Sequence, residues 1–147
     1  QDVSFIQWIK DTLLHLPENA PRIIFEFAEF GAVQNENLVR SFMAVIRECG
    51  HEMGLDHYGQ SCGNLRHLQS LRPDYVKIDR AYTGELKDED SDSRFFISSI
   101  CSVAHSIDIA VIAEGVETDN QWRLLKALNV DAVQGYIIDS SKPITKV

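Results

Sequence analysis

Apolar residues change their spacing repeatedly along this chain, and each change marks a new element. From Val3 to Leu16, the positions Phe5, Ile6, Ile9, Leu13 and Leu14 follow helical spacing, which Pro17 and Pro21 end. Arg22 to Phe27 (RIIFEF) is short, β-branched and aromatic, as a buried strand should be. Helical spacing returns from Asn37 to Cys49 through Leu38, Phe42, Val45 and Ile46, and stops at Gly50. Met53 to Asp56 predicts a second strand, followed by the polar turn HYGQSCG and a brief helix from Leu65 to Leu71 that Pro73 closes. Tyr75 to Ile78 predicts a third strand, and Gly84 to Ser93 (GELKDEDSDS) a charged loop. Then come a helix at Phe95–Ile107, a strand at Ile109–Ala113 and a helix at Thr118–Leu128 with Thr118 as its N-cap. A last strand is predicted from Ala132 to Ile138 (AVQGYII).

Strands alternating with helices imply β-α units and a parallel sheet, hence an α/β fold. About five strands are expected, whereas a closed (β/α)8 barrel needs eight and typically about 250 residues. The pattern alone leaves two architectures open: a doubly wound open sheet, or a partial TIM-type (β/α) barrel.

Composition narrows the function more than the fold. The chain has 147 residues, 44% of them apolar and 24% charged, enough for the core of one domain or a large part of one. A formal net charge of -8 opposes general binding to a nucleic acid polymer, whose phosphates call for clustered Lys and Arg. A small phosphate ligand stays open, because a metal ion or one well-placed Lys supplies positive charge locally. Cys49, Cys62 and Cys101 are odd in number and form no Cys-x-x-Cys pair, which points to idle thiols in a reducing cytoplasm. The expected location is therefore cytoplasmic, either free or as the cytoplasmic part of a membrane-anchored protein; no apolar run reaches the ~20 residues of a membrane span. His15, His51, His67 and His105 share no metal spacing, and Trp8 and Trp122 lie on apolar helical faces as packing residues.

The placement of ionisable groups is more telling. Glu26 sits late in the first strand, Asp56 ends the second, Lys77 and Asp79 close the third, Glu114 follows the fourth, and Gln134 follows Ala132-Val133. Each strand thus hands a polar group to the same end of the sheet, the C-terminal rim where parallel α/β folds build their sites. Carboxylates gathered there repel one another unless a cation or a Lys compensates. Glu26, Asp56, Asp79 and Glu114 around Lys77 therefore read as a divalent-metal and phosphate site, with oxygen ligands favouring Mg²⁺ or Mn²⁺. Two such ions could hold both the attacking water and the leaving oxygen of a phosphodiester.

At these same strand ends the chain resembles the EAL family of cyclic di-GMP phosphodiesterases and their degenerate receptor members. Phe25-Glu26-Phe27-Ala28-Glu29 is similar to the family's E-x-T-E segment, and Leu55-Asp56-His57-Tyr58-Gly59 to its D-D-F-G loop. Val76-Lys77-Ile78-Asp79-Arg80 resembles K-I-D-R, Glu114-Gly115-Val116-Glu117-Thr118 reads E-G-V-E-T, and Gln134-Gly135-Tyr136 reads Q-G-Y, with Lys142-Pro143 nearby. The resemblance implies a barrel that binds cyclic di-GMP at its rim and, in active members, hydrolyses it with Mg²⁺ or Mn²⁺. It assigns Glu26, Asp56 and, at the second D of the pair, His57 to the metal, and Lys77, Glu114 and Gln134 to catalysis. Glu29 would brace the loop after Asp56, which the family links to dimer formation. Asp79, Glu117, Tyr136 and Pro143 would support or contact the ligand. The expected partners are cyclic di-GMP, a second copy in a homodimer, and an upstream diguanylate cyclase-like or sensory domain in the intact protein.

The chain also departs from the family. The E-A-L strand with its metal-binding Glu and the following strand with a metal-binding Asn are absent, so this is expected to be the C-terminal part of one domain, spanning residues 1–147. His57 exchanges an anionic ligand for imidazole, which suits Mg²⁺ poorly. Ala28 replaces the motif's Thr, and Gln60-Ser61 replace T-G. Three functions follow: a degenerate receptor module with an incomplete metal site; an active phosphodiesterase when upstream strands are present; or an interaction module whose unclosed barrel exposes strand edges and pairs with another copy.

Overall fold

Five parallel strands pair in the order in which they occur in the chain, β1-β2-β3-β4-β5. The computed structural model describes residues 2–60, 65–86 and 92–138. The strands are β1 (Ile24–Ala28), β2 (Glu52–Tyr58), β3 (Tyr75–Ile78), β4 (Ala110–Ala113) and β5 (Ala132–Val133). Around them run α1 (Asp2–Leu14), α2 (Glu29–Gln34), α3 (Glu36–Glu48), α4 (Leu65–Leu71), α5 (Arg80–Gly84), α6 (Asp92–His105) and α7 (Asp119–Ala127). A doubly wound sheet reverses its strand order at a switch point. Here the order never reverses, so the sheet is an arc of a (β/α) barrel, with the chain winding one way.

Register decides which side chains face the core. Phe25 pairs with Met53, and Phe27 with Leu55; Leu55 in turn pairs with Val76, Val76 with Val111, and Ile78 with Ala113. With a period of two, these residues share one face of the sheet. That face is the packed one: Met53, Leu55, Val76, Ile78, Val111 and Ala113 are all buried. Helix α3 covers part of it through Val39, Phe42, Met43 and Ile46. The Phe42 ring stands edge-on to both Phe25 and Phe27, at centroid distances of 5.4 and 5.3 Å, an arrangement the aromatic quadrupole favours.

A repeated device sews the N-terminal ends of the strands together. The residue just before a strand accepts a hydrogen bond from its neighbour's leading N–H: Asp74 from Met53 N at 2.8 Å, and Asp131 from Val111 N at 2.7 Å. His51 Nδ1 accepts likewise from Ile23 N at 3.2 Å. Polar chemistry at this end is spent on strand alignment, which leaves the opposite rim for a site.

Several sequence expectations change. The last strand ends at Val133 instead of Ile138. Beyond it the chain folds back on Val116, which donates its N–H to Gln134 O and accepts from Ile137 N. A β-carbon at Gly135 would collide with the Val116 backbone, so this close approach needs glycine. Two short helices, α2 and α5, stand where no helix was expected, and α5 takes up Gly84 from the predicted charged loop. Residues 87–91 of that loop lie outside the described residues, as does Pro143. Among the described residues, no helix is long and apolar enough to cross a membrane.

Thr118 is the N-cap of α7, in a full capping box with Gln121. The Gln121 side chain also donates to Thr83 O of α5 at 3.2 Å, tying the two helices together. Thr118→Ala should cost about 1 kcal/mol of stability in urea denaturation, and an unchanged midpoint would contradict this role.

Candidate functional site

The other face of the sheet carries the candidate chemistry. Glu26 pairs with Gly54, Ala28 with Asp56, Gly54 with Tyr75, and Lys77 with Ile112. Alternation therefore projects Glu26, Asp56, Tyr75 and Lys77 to the face away from the helices. Glu114, two residues after Ile112, continues the same row.

Between β2 and β3 the register slips: Leu55 pairs with Val76 and Tyr58 with Ile78. Three steps on one strand meet two on the other, which is a β-bulge with one extra residue. His57 occupies it with φ +54, the left-handed region. The bulge lets two successive residues, Asp56 and His57, serve one site, while Tyr58 returns to the core, fully buried.

The side chains then link up. Lys77 Nζ lies 2.7 Å from Glu26 Oε1 and 3.7 Å from Glu114 Oε1. His57 Nδ1 lies 3.0 Å from Asp79 Oδ2 and 3.7 Å from Glu114 Oε2, and its Nε2 3.7 Å from Asp56 Oδ2. Asp79 is buried; its other oxygen caps α5 by accepting from Ala81 N at 2.9 Å. Six of the sequence-predicted residues thus form one connected cluster: Glu26, Asp56, His57, Lys77, Asp79 and Glu114.

Glu29 lies behind this cluster. It is almost fully buried at the start of α2, and its Oε2 accepts from Gly59 N at 3.1 Å. Gly59 has φ +97 and no room for a β-carbon beneath the stacked Tyr82 and Phe96 rings. The Tyr82 hydroxyl donates to Gly59 O at 3.0 Å. The loop after the bulge is therefore held from two sides. Glu117, Gln134 and Tyr136 sit apart from the acids, exposed along a cleft of about 890 Å³ that Arg80 and Gln121 also line.

Tyr75 and Gly54 joined this site without a sequence prediction. The Tyr75 hydroxyl donates to Glu26 Oε1 at 2.5 Å. The signal was available in the strand period: Tyr75 lies two residues before Lys77 and must share its face.

Asp56, His57 and Glu114 can each offer a ligand atom within 4.8 Å of the others, a spacing suited to one divalent cation. Two carboxylates and one imidazole make a mixed oxygen–nitrogen set, which accepts Mn²⁺ more readily than Mg²⁺. Glu26 stands outside this group, in the Lys77 ion pair.

The carboxylates differ electrostatically. Burial raises the Glu26 pKa, but hydrogen bonds from Lys77 and Tyr75 outweigh it and hold the group below its ordinary value. Burial, then repulsion from Asp56, pushes Glu114 above its ordinary value. Burial lowers the Lys77 pKa, yet the hydrogen bond and charge of Glu26 leave it raised.

Opposite pH effects on stability follow by linkage. The Glu26 contribution is present above the ordinary carboxylate range and fades as pH falls through its depressed value. Ionised Glu114 is disfavoured in the fold, so its contribution improves as pH falls through its raised value. In a carboxyl-carbon NMR titration, Glu114 should titrate at higher pH than Glu26; the reverse order would contradict the assigned contacts.

The family model of the EAL domain matches residues 1–143. Among curated proteins, the chain is 26% identical over 140 residues to the bifunctional diguanylate cyclase/cyclic di-GMP phosphodiesterase MucR of Pseudomonas aeruginosa, covering 95% of this chain and 20% of MucR. It is 31% identical over 113 residues to the probable cyclic di-GMP phosphodiesterase PdeG of Escherichia coli, covering 77% of this chain and 22% of PdeG. Among solved structures, the S helix-GGDEF-EAL portion of Vibrio cholerae LapD bound to c-di-GMP matches with TM-score 0.82 and 34% identity, over 92% of this chain and 33% of that one. The chain thus spans about a fifth of the curated relatives it matches.

Proposed function

Because the chain belongs to the EAL domain family, we propose that it is the C-terminal part of a cyclic di-GMP-binding domain that acts as a receptor and hydrolyses its ligand weakly or not at all. One observation carries this reading. Lys77 already pairs with Glu26 and approaches Glu114, and a neutral-type ligand, the His57 imidazole, stands where the family's motif carries a second carboxylate.

In this reading Asp56, His57 and Glu114 hold at most one cation, preferably Mn²⁺ over Mg²⁺. When bound, that cation would neutralise a phosphate and polarise its oxygen. The chain's own residues do the rest. Lys77 presents an ammonium between two carboxylates, available to a phosphate oxygen or an attacking water. Asp79 fixes the His57 ring, and Glu29 holds the backbone that follows it. Glu117, Gln134, Tyr136 and Pro143 provide the contacts to the nucleotide, and buried Asp79 supports the site through His57. Glu117 and Gln134 have the acceptors and donors to read a base edge, and exposed Tyr136 offers a ring for stacking.

The V. cholerae LapD structure includes a GGDEF portion ahead of its EAL portion. We therefore place a diguanylate cyclase-like or sensory domain upstream of this chain in the intact protein. The working unit is a cytoplasmic homodimer, free or membrane-anchored. A second reading, an active phosphodiesterase completed by upstream strands, draws support from the presence of Glu26, Asp56, Lys77, Glu114 and Gln134 on one rim.

Calorimetric titration of the intact protein with cyclic di-GMP tests the receptor reading: binding is expected, with no turnover in Mg²⁺ and little in Mn²⁺. Absence of binding would remove it, and turnover in Mg²⁺ would establish the second reading. His57→Asp restores an all-oxygen ligand set, so it should raise Mg²⁺ affinity at least several-fold; an unchanged affinity would show that His57 does not face the cation.

A further inference from the structure

Glu26 is held by more than its ion pair. Its Oε1 accepts the Tyr75 hydroxyl at 2.5 Å and the Lys77 ammonium at 2.7 Å. Two donors on one carboxylate oxygen satisfy it without a metal ion, and each is charge-assisted, the stronger class of hydrogen bond. The same Lys77 ammonium approaches Glu114, a member of the candidate cation group. Glu26 itself is not in that group.

The position of Tyr75 depends on a local notch. Gly54 is its cross-strand partner on the same face, and a β-carbon there would overlap the Tyr75 ring and hydroxyl. Without a side chain at Gly54, the ring crosses β2 and reaches the carboxylate of β1. The pair β1–β3 is not adjacent in the sheet, so this hydrogen bond spans an intervening strand. Any larger residue at position 54 would block it.

We infer that Tyr75, seated in the notch at Gly54, is a positioning residue that keeps Glu26 in the Lys77 pair and away from the cation group of Asp56, His57 and Glu114. Tyr75 thereby sets the metal affinity of the rim. The inference rests on the reading of that group as a cation site, and it deepens that reading by naming what restrains the site. With the hydroxyl gone, Glu26 loses one of its two donors and can turn toward a cation, adding a third carboxylate to the set. With the hydroxyl present, the two donors hold Oε1 and so fix the direction in which the carboxylate points, and Glu26 turns toward the cation group only by breaking that hold.

The test is Mn²⁺ binding to the intact protein without dinucleotide, followed by loss of the free-ion signal in electron paramagnetic resonance. Tyr75→Phe keeps the ring and removes the hydroxyl, and should tighten Mn²⁺ binding about tenfold, the value of one hydrogen bond to a charged group. Gly54→Ala, which displaces the ring while keeping the hydroxyl, should shift affinity in the same direction. A gain in affinity cannot come from a protein that fails to fold. Affinity that is unchanged, weaker, or undetectable in both wild type and Tyr75→Phe would overturn the inference. Cyclic di-GMP calorimetry on the same samples separates the two claims. Tighter Mn²⁺ binding without dinucleotide binding sinks the receptor reading and supports the role of Tyr75. Dinucleotide binding with unaltered Mn²⁺ affinity sinks the role of Tyr75 and supports the receptor.

Discussion

One ammonium group makes this rim possible. Four carboxylates converge on the C-terminal ends of parallel strands, and unbalanced they would repel one another at short range. Lys77 stands among them with its side chain only 10% exposed, in contact with Glu26 and within 4 Å of Glu114. A surface ion pair would be worth little. Here the ammonium and Glu114 are largely covered while Glu26 stays open to water, so screening is only partly removed, and the Lys cannot leave without costing two acids their counter-charge. The rest of the site is arranged around that constraint: Asp79 is occupied by capping α5 and by His57, and Glu26 takes a second donor from Tyr75.

Backbone geometry decides which residues reach this ammonium. Period-two alternation alone puts Glu26, Asp56 and Lys77 on one face, but it would send His57 to the other. The single-residue bulge between Leu55 and Tyr58 changes that, at the cost of a left-handed backbone at a non-glycine residue. The same bulge returns Tyr58 to the core and starts the loop that Glu29 and Tyr82 hold at Gly59. A local irregularity thus couples site composition to core packing.

Much of this was legible in the residues. The alternation of strands and helices was plain because each buried strand is a short apolar run and each helix an apolar stripe. Helix α4 and strand β3 fall on the residues that spacing predicted. The choice between an open doubly wound sheet and a barrel arc was not legible, since strand order is a tertiary property that no local period encodes. Helices α2 and α5 were missed because they have only six and five residues, too few for a repeating stripe. The final strand was overextended because Tyr136, Ile137 and Ile138 favour strands locally, while Gly135 and the Val116 backbone turn the chain away. At the site, the acids and Lys77 announced themselves by standing at strand ends. Tyr75 did not, because its role depends on the missing side chain of Gly54, across the sheet.

The central claim, that Lys77 balances the carboxylates of the rim, is tested most directly by the pH dependence of stability in a Lys77→Met variant. Chemical denaturation near neutral pH should show a loss of about 1 kcal/mol, because the largely covered Glu114 and the solvent-screened Glu26 lose their counter-charge. That deficit should shrink as pH falls through the carboxylate range, about 4, where the acids become neutral. A deficit that stays constant with pH, or no deficit at neutral pH, would contradict the account.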